Sequence, residues 1–308
     1  MKFAVVSDIH NRDFFSGEEP PPYREAPFYD NFSFHKLPAS DKKELESCDF
    51  VLVAGDTAGC KRCSDFWLRR FGEELREINP KIQLRSVPGN HEFYRDKNEL
   101  FDEKQRLLQV YQGFNYCLSD KTYLAVQKDV RKHEFPLKHE EGPFPSLTKE
   151  ELGENIVLVS TTLWTPVRKK KSQGLSDFFY IKRFNKDFGG SPSAYSELYK
   201  KNRDSLLEAV KEAKEQGKKV VILTHHVPLA KFSDFDDPEV DHDYDECFCV
   251  LNKKDNKAFL DLKAEVWVFG HTHRFIREKV GETLFLCNPR GYFSERVYGN
   301  YSFETFEI

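Results

Sequence analysis

An α/β layered domain is the fold this chain is expected to adopt. Three features point there: short apolar runs, helical patterns set between several of them, and polar residues placed where the apolar runs stop. Most of the runs are nearly continuous in apolar residues, as in strands covered on both faces. Strands alternating with helices argue for helices layered on a sheet.

The apolar runs are 3–7, 50–54, 82–87, 156–160, 220–224, 266–269 and 284–287. Ser64 opens a helical segment in which Trp67, Phe71, Leu75 and Ile78 share a face. Asn79-Pro80 stops it, because a residue before proline disfavours helix. Residues 96–111 place Leu100, Leu107, Leu108 and Tyr111 together. Residues 193–216 do the same with Leu198, Leu206, Val210 and Ala213, and Gly217 is a natural stop. Three stretches read as inserted loops: about 11–40, rich in Pro and Phe; 127–150, of mixed charge; and 228–256, with an acidic run at 234–246. With no repeat and no clear linker, 1–308 reads as one domain carrying long functional loops.

Hydrophobic residues make up 39% and charged residues 32%, a globular composition rather than a disordered or membrane one. The net charge of −4 gives no global attraction to nucleic acid or anionic lipid. No apolar run approaches the roughly 18 residues a bilayer span needs. The first apolar run meets Asp8 before reaching the length of a secretory core, about 7–15 residues. Seven cysteines without regular spacing fit free thiols in a reducing compartment. The expectation is a cytoplasmic protein with no membrane partner and no evident obligate protein partner.

Chemistry gathers at the ends of the runs. Asp8-Ile9-His10 follows the first, Gly55-Asp56 the second and Pro88-Gly89-Asn90-His91-Glu92 the third. His225-His226 and Gly270-His271-Thr272-His273 follow two later ones. In open α/β sheets the carboxyl ends of the strands are where ligands bind. Asp8, His10, Asp56, Asn90, His225, His271 and His273 offer carboxylate, amide and imidazole donors. One divalent metal needs about three or four protein ligands. Seven suffice for two metals with a bridging carboxylate, and Asn90 adds an oxygen without adding charge. The lack of cysteine in the set argues against a soft structural zinc cage. Each motif alone is ordinary: a D-x-H arises by accident, and G-N-H-E would serve as a capped turn. Five strand ends together are the signal.

This ordered set resembles the calcineurin-like metallophosphoesterases over residues 8–273. T-L-W-T (162–165), T-H-H-x-P (224–228) and N-P-R-G-Y (288–292) resemble a bacterial-type subgroup. The resemblance implies a four-layer αββα sandwich of two mixed β-sheets, with a dinuclear site at the strand carboxyl ends. It implies that Asp8, His10 and His273 hold one metal, that Asn90, His225 and His271 hold the other, and that Asp56 bridges. His91 would be the catalytic residue beside the substrate. The cofactors would be two divalent ions, Mn²⁺ first, with Fe or Zn²⁺ as alternatives. The phosphoprotein-phosphatase branch has G-D-x-x-D-R-G. Here Gly55-Asp56-Thr57-Ala58-Gly59-Cys60-Lys61 lacks the second Asp and the Arg, which argues against that branch.

The expected function is hydrolysis of a phosphodiester or phosphomonoester in a small phosphorylated substrate, through attack by a metal-bridging hydroxide. His91 would protonate or steady the leaving oxygen. Several roles stay open. His226 either contacts substrate or caps its turn. Arg290 either grips a phosphate oxygen or belongs to the turn between Pro289 and Gly291, which is preferred. Glu92 either orients His91 or starts the next helix. Tyr94 and Trp164 offer stacking surfaces, although most such aromatics are core. Cys60-x-x-Cys63 and Cys247-x-Cys249 could make a zinc site if their loops meet; chance spacing is the preferred account. The basic run at 168–171 is a solvated loop by default. Two alternatives remain: a nuclease, against which the lack of a basic-aromatic track argues, and an inactive metal-binding scaffold, which predicts lost ligands where all seven stand.

Overall fold

Two mixed β-sheets, flanked by helices, form the computed structural model of this chain, which describes residues 1–10, 38–58, 61–94, 147–167, 175–181, 193–233, 245–292 and 301–308. The strands are β1 Lys2–Val6, β2 Phe50–Val53, β3 Gln83–Ser86, β4 Thr148–Glu151, β5 Ile156–Thr161, β6 Lys219–Thr224, β7 Val266–Phe269, β8 Ile276–Val280, β9 Thr283–Cys287 and β10 Glu304–Glu307. The smaller sheet has the order β10-β1-β2-β3, the larger β4-β5-β6-β7-β9-β8. The pairs β1/β10, β4/β5 and β8/β9 are antiparallel, and the other pairs are parallel.

The period-two geometry of a strand explains the continuous apolar runs. Phe3, Val5, Phe50 and Leu52 of the smaller sheet cluster with Leu158, Val221, Leu223, Val268 and Leu286 of the larger one. The alternate residues Ala4, Val6, Val51 and Val53 turn the other way, onto Trp67, Leu68, Phe71 and Leu75 of helix α2 (Lys61–Ile78). On the far side, Val159, Val220, Ile222, Trp267 and Phe269 pack with Leu198, Leu206 and Val210 of the long helix Ser193–Glu215. Each such side chain, fully buried, stabilises by about 1.5–3 kcal/mol. Truncating Leu223 to Ala between the two sheets would cost about 2–5 kcal/mol.

The other helices are α1 Ala39–Glu46, α3 Ser176–Tyr180, α5 Asp245–Phe248 and α6 Lys253–Asp261, which makes Ser193–Glu215 α4. Gly217 ends α4 as expected: at φ 72° it lets Lys218 N donate to Ala213 O (3.0 Å) and its own N–H donate to Lys214 O (2.9 Å). No described helix is long and apolar enough to cross a membrane. The expected helix at 96–111, the basic run at 168–171 and most of the three inserted stretches lie outside the described residues.

Three strands are additions to the sequence reading: β4, β8 and β10. All three are edge strands. Their sequences, T-K-E-E, I-R-E-K-V and E-T-F-E, are rich in charge and bury little. Charge on an edge discourages pairing with another chain, and it also erases the apolar run that reveals a strand. Arg277 of β8 pairs with Glu304 of β10 and donates to Thr305 O (3.1 Å), tying the rims of the two sheets.

Candidate metal centre

The strand ends that carry Asp, Asn and His meet at one end of the two sheets. Backbone bonds join the sheets there: Ser7 N donates to Asn288 O (2.9 Å) and Arg290 N to Ser7 O (3.0 Å). Thr162 Oγ1, past β5, donates to Pro88 O, past β3 (3.0 Å). Left-handed backbone is rare outside glycine, yet Asp8 (φ 48°), His10 (41°), Asp56 (51°), His271 (70°) and His273 (52°) all adopt it. Among the described non-glycine residues only Leu163 and Lys263 join them. Strain of this kind concentrates at functional sites, held by surrounding bonds. Here Asp8 N donates to Gly55 O (3.1 Å), His10 N to Asp56 O (3.0 Å) and Gly270 N to His225 O (2.9 Å). Gly55 (φ 82°) permits a very close crossing: a Cβ there would stand 2.6 Å from both Gly89 N and His225 Nδ1. A Cβ on Gly89 would run into Asp56 Oδ1.

Three groups of donor atoms result, each with its atoms within 4.8 Å of one another: Asp8, His10 and His273; Asp56, His225 and His271; and His10, Asp56 and His91. His10 Nε2 lies 3.0 Å from His273 Nε2, and His273 Nε2 lies 3.7 Å from Asp8 Oδ1. His225 Nε2 lies 3.0 Å from His271 Nδ1, 3.1 Å from Asn90 Oδ1 and 3.4 Å from Asp56 Oδ2. Asp56 Oδ2 is also 3.8 Å from His10 Nε2 and 3.9 Å from His91 Nε2. All seven expected ligands are therefore gathered, with Asp56 between the two outer groups and His91 beside it.

Burial pushes His10 and His271 well below the usual imidazole range, toward the neutral form that binds metals. His225 goes the other way, to about 9: burial opposes its charge, but Asp56 and then Asp8 favour it more strongly. Burial raises Asp56 too, yet His225, His91 and His10 outweigh it and hold the carboxyl well below its ordinary value. Asp8 is raised, by burial foremost.

Around these donors stands a layer that the sequence reading left open or missed. Glu92 is fully buried, inside the short helical turn His91–Phe93 that starts after Asn90, the second of the two roles left open for it. Its Oε2 accepts from Gly89 N (2.7 Å) and Asp56 N (3.0 Å), and its Oε1 accepts from Thr57 N (2.8 Å), Thr57 Oγ1 (2.9 Å) and Ser64 Oγ (2.8 Å). It pins the loops after β2 and β3 to α2. Asp177 Oδ1 accepts from Asn90 Nδ2 (2.8 Å) and from Tyr94 Oη (2.8 Å). Because Asn90 spends its amino group there, its carbonyl oxygen must face His225. His226 is fully buried. Its Nδ1 donates to Thr162 O (3.2 Å) and its Nε2 lies 3.3 Å from Tyr195 Oη. Burial, then the charge of His225, lowers its pKa to about 3. These bonds tie the loop after β6 to the loop after β5 and to α4; the ring does not cap its own turn.

Arg290 meets the centre through its backbone, and Trp164 is core. Tyr292, the last residue of N-P-R-G-Y, was not singled out, although the motif contained it. Its hydroxyl lies 3.3 Å from His91 Nε2 and its ring 4.3 Å from that of His10. Cys247 and Cys249 are buried in the core of the larger sheet. Cys60 and the Cys63 side chain, their suggested zinc partners, lie outside the described residues.

The donors fit a pair of divalent cations. Among the described residues Asp8 Oδ2 is the buried side-chain oxygen with no hydrogen-bond partner, and buried carboxylate oxygens are otherwise matched. His225 Nδ1 donates to Ala54 O (2.8 Å), which leaves Nε2 as the lone-pair nitrogen facing the donors.

Comparison with known proteins agrees. Uncharacterized protein L509 of Acanthamoeba polyphaga mimivirus is 25% identical over 268 residues, 83% of this chain and 82% of that protein. Phosphopantetheinyl hydrolase (PptH) of Mycobacterium tuberculosis shares the fold, with a TM-score of 0.53 at 14% identity over 99% of this chain and 95% of that one. A dimetal phosphatase of Danio rerio gives a TM-score of 0.48 at 15% identity, over 99% and 91% of the two chains. The model of the Metallophos family, calcineurin-like phosphoesterases, matches residues 1–275, a span that takes in all seven expected ligands, and the chain belongs to that family of metal-dependent phosphoesterases.

Proposed function

We propose that this chain hydrolyses a phosphodiester or phosphomonoester bond in a small phosphorylated substrate, using two divalent cations, Mn²⁺ foremost. The observation that carries the reading is Asp56 Oδ2, set within 4 Å of His225, His10 and His91. Asp8, His10 and His273 would hold one cation, Asn90, His225 and His271 the other, and Asp56 would touch both. Bound there, the cations would offset charge on the phosphoryl oxygens and make a bound water acidic enough to act near neutral pH.

The chain's own groups supply the rest. His91 N donates to Asp56 Oδ1 (3.0 Å), so its ring position is coupled to the shared carboxylate. Its Nε2, reaching Tyr292 Oη, is the proton donor for the leaving oxygen. Arg290 belongs to its turn, where its N–H donates to Ser7 O and joins the two sheets.

The test is hydrolysis of bis(4-nitrophenyl) phosphate and 4-nitrophenyl phosphate by protein stripped of metal and reloaded with Mn²⁺, Fe²⁺ or Zn²⁺. No hydrolysis with any of them would sink the reading. His91→Ala should retain both equivalents of metal and lose about 10²–10⁴-fold in rate. Loss of metal instead would make His91 a ligand, in the group it forms with His10 and Asp56.

A further inference from the structure

We infer that the substrate carries a planar aromatic ring beside its phosphate, a nucleobase or an aryl group, and that exposed aromatic side chains around the centre seat it. The inference rests on the phosphoesterase reading and adds the class of substrate.

Aromatic side chains are normally buried, and clustered exposed ones mark binding surfaces. Among the described residues the exposed large hydrophobics, apart from Met1, are Tyr180, Phe248, Phe275 and Tyr292. Two of them pack on the centre, and a third reaches it through Tyr94. Phe248, 42% exposed, sets its ring 4.9 Å from that of His271. Tyr292, 43% exposed, lies 4.3 Å from His10 and 4.6 Å from His273. Tyr180, 51% exposed, lies 5.2 Å from Tyr94, whose ring is 4.4 Å from His91. Phe275 stands two residues past His273. The rings come from separate segments of the chain, yet they converge on the two ligand groups and the proton donor.

Phe248 is built into its position. Cys247 and Cys249 on either side are buried, Thr165 Oγ1 donates to Cys247 O (3.2 Å), and Val227 N donates to Phe248 O (3.2 Å). Val250 N returns a bond to Val227 O (3.0 Å). The segment is thus clamped to the loop that carries His225 and His226, and it presents one aromatic ring outward. A flat ring stacks on such a side chain without demanding a particular sequence of donors and acceptors. An alkyl phosphate would leave these rings in water.

Calorimetric titration of the Mn²⁺-loaded chain with adenosine 5′-monophosphate, phenyl phosphate and ribose 5-phosphate tests this. At least one ring-bearing ligand should bind about tenfold tighter than ribose 5-phosphate, as stacking on one side chain provides. Phe248→Leu, which keeps apolar cover without a flat ring, should remove most of that preference, and Phe248→Tyr should keep it. A gain for phenyl phosphate alone identifies an aryl group, and a gain for the nucleotide alone identifies a nucleobase; both support the ring. Binding of all three within twofold, or an undiminished preference in Phe248→Leu, overturns it. Hydrolysis of bis(4-nitrophenyl) phosphate, run in parallel, separates the two readings. Hydrolysis with ring-blind binding defeats only the ring site. Ring-selective binding without hydrolysis defeats only the phosphoesterase.

Discussion

Asp8 and Asp56 share a backbone setting and differ in chemistry. Both are buried, both follow parallel strands of the smaller sheet, and both are left-handed, at φ 48° and 51°. Asp56 gives Oδ1 to His91 N and sets Oδ2 among three imidazoles. Burial opposes its charge, but those imidazoles prevail and its pKa falls well below the usual range. Asp8 gives Oδ1 to His271 N (2.9 Å), while its Oδ2 is buried without a partner. Burial prevails there; His273 and His225 offset it only in part, and Asp56 adds to it. Equal burial thus produces opposite shifts, because neighbours decide whether a desolvated charge is matched. The protein's own histidines match Asp56. On the proposed reading, the match for Asp8 would come from a bound cation.

Removing the matched carboxylate should have the largest effect. Asp56→Ala takes a donor from both ligand groups, so elemental analysis should find both metal equivalents lost. Phosphodiester hydrolysis should fall by more than the roughly 10–100-fold typical of an outer partner. Full metal retention would end the claim that Asp56 is shared. Stability in a chelator should then separate the two residues by sign. Asp56→Asn removes the charge that keeps buried His225 protonated and should lower metal-free stability by about 3–5 kcal/mol, as breaking a buried pair does. Asp8→Asn removes an unmatched buried carboxylate, so its metal-free thermal midpoint should equal or exceed that of wild type even though one metal is lost. Equal destabilisation by both would break the comparison. Asp177→Leu is a milder probe of the matched side. It frees the Asn90 amide to turn and should weaken metal binding about 10–100-fold, with Asp177→Asn closer to wild type.

The ligand types at strand ends can be read from sequence because most of the strands feeding them, β3 excepted, are apolar on both faces and announce themselves. The supports cannot. Glu92 gains its meaning from five donors, four of them on Asp56, Thr57 and Ser64, 28 to 36 positions away. Asp177 lies 87 positions from Asn90 and carries no motif. Nothing local says which N–H a distant carboxylate will meet. The edge strands β4, β8 and β10 were hidden by the charges that protect them. Tyr292 had a signal, since it closes N-P-R-G-Y, but only the packing of its ring on His10 and His273 distinguishes it from any tyrosine after a turn.

The smallest effect is one of pH, and its sign follows from the same two carboxylates. In chelator-treated protein the His225 pKa stands near 9 against an ordinary 6.5, through Asp56 first and Asp8 second, with burial opposing. A raised imidazole pKa contributes stability fully below the unfolded value, and that contribution is lost as pH rises through the folded one. Asp56, being depressed, contributes above the ordinary carboxylate range and loses its contribution only in acid. Asp8, being raised, contributes only below its ordinary value and so opposes folding at neutral pH. His10, His226 and His271, being depressed, add stability as pH rises through the ordinary imidazole value and have added all of it by about pH 7.5; between there and pH 9 the acting group is His225, and its anchor is Asp56. Denaturant unfolding in a chelator should show wild-type stability falling across this window. The slope should persist in Asp8→Asn and flatten in Asp56→Asn. A slope that survives Asp56→Asn but vanishes in Asp8→Asn would mean that Asp8 holds the imidazolium, and the roles of the two carboxylates would have to be exchanged.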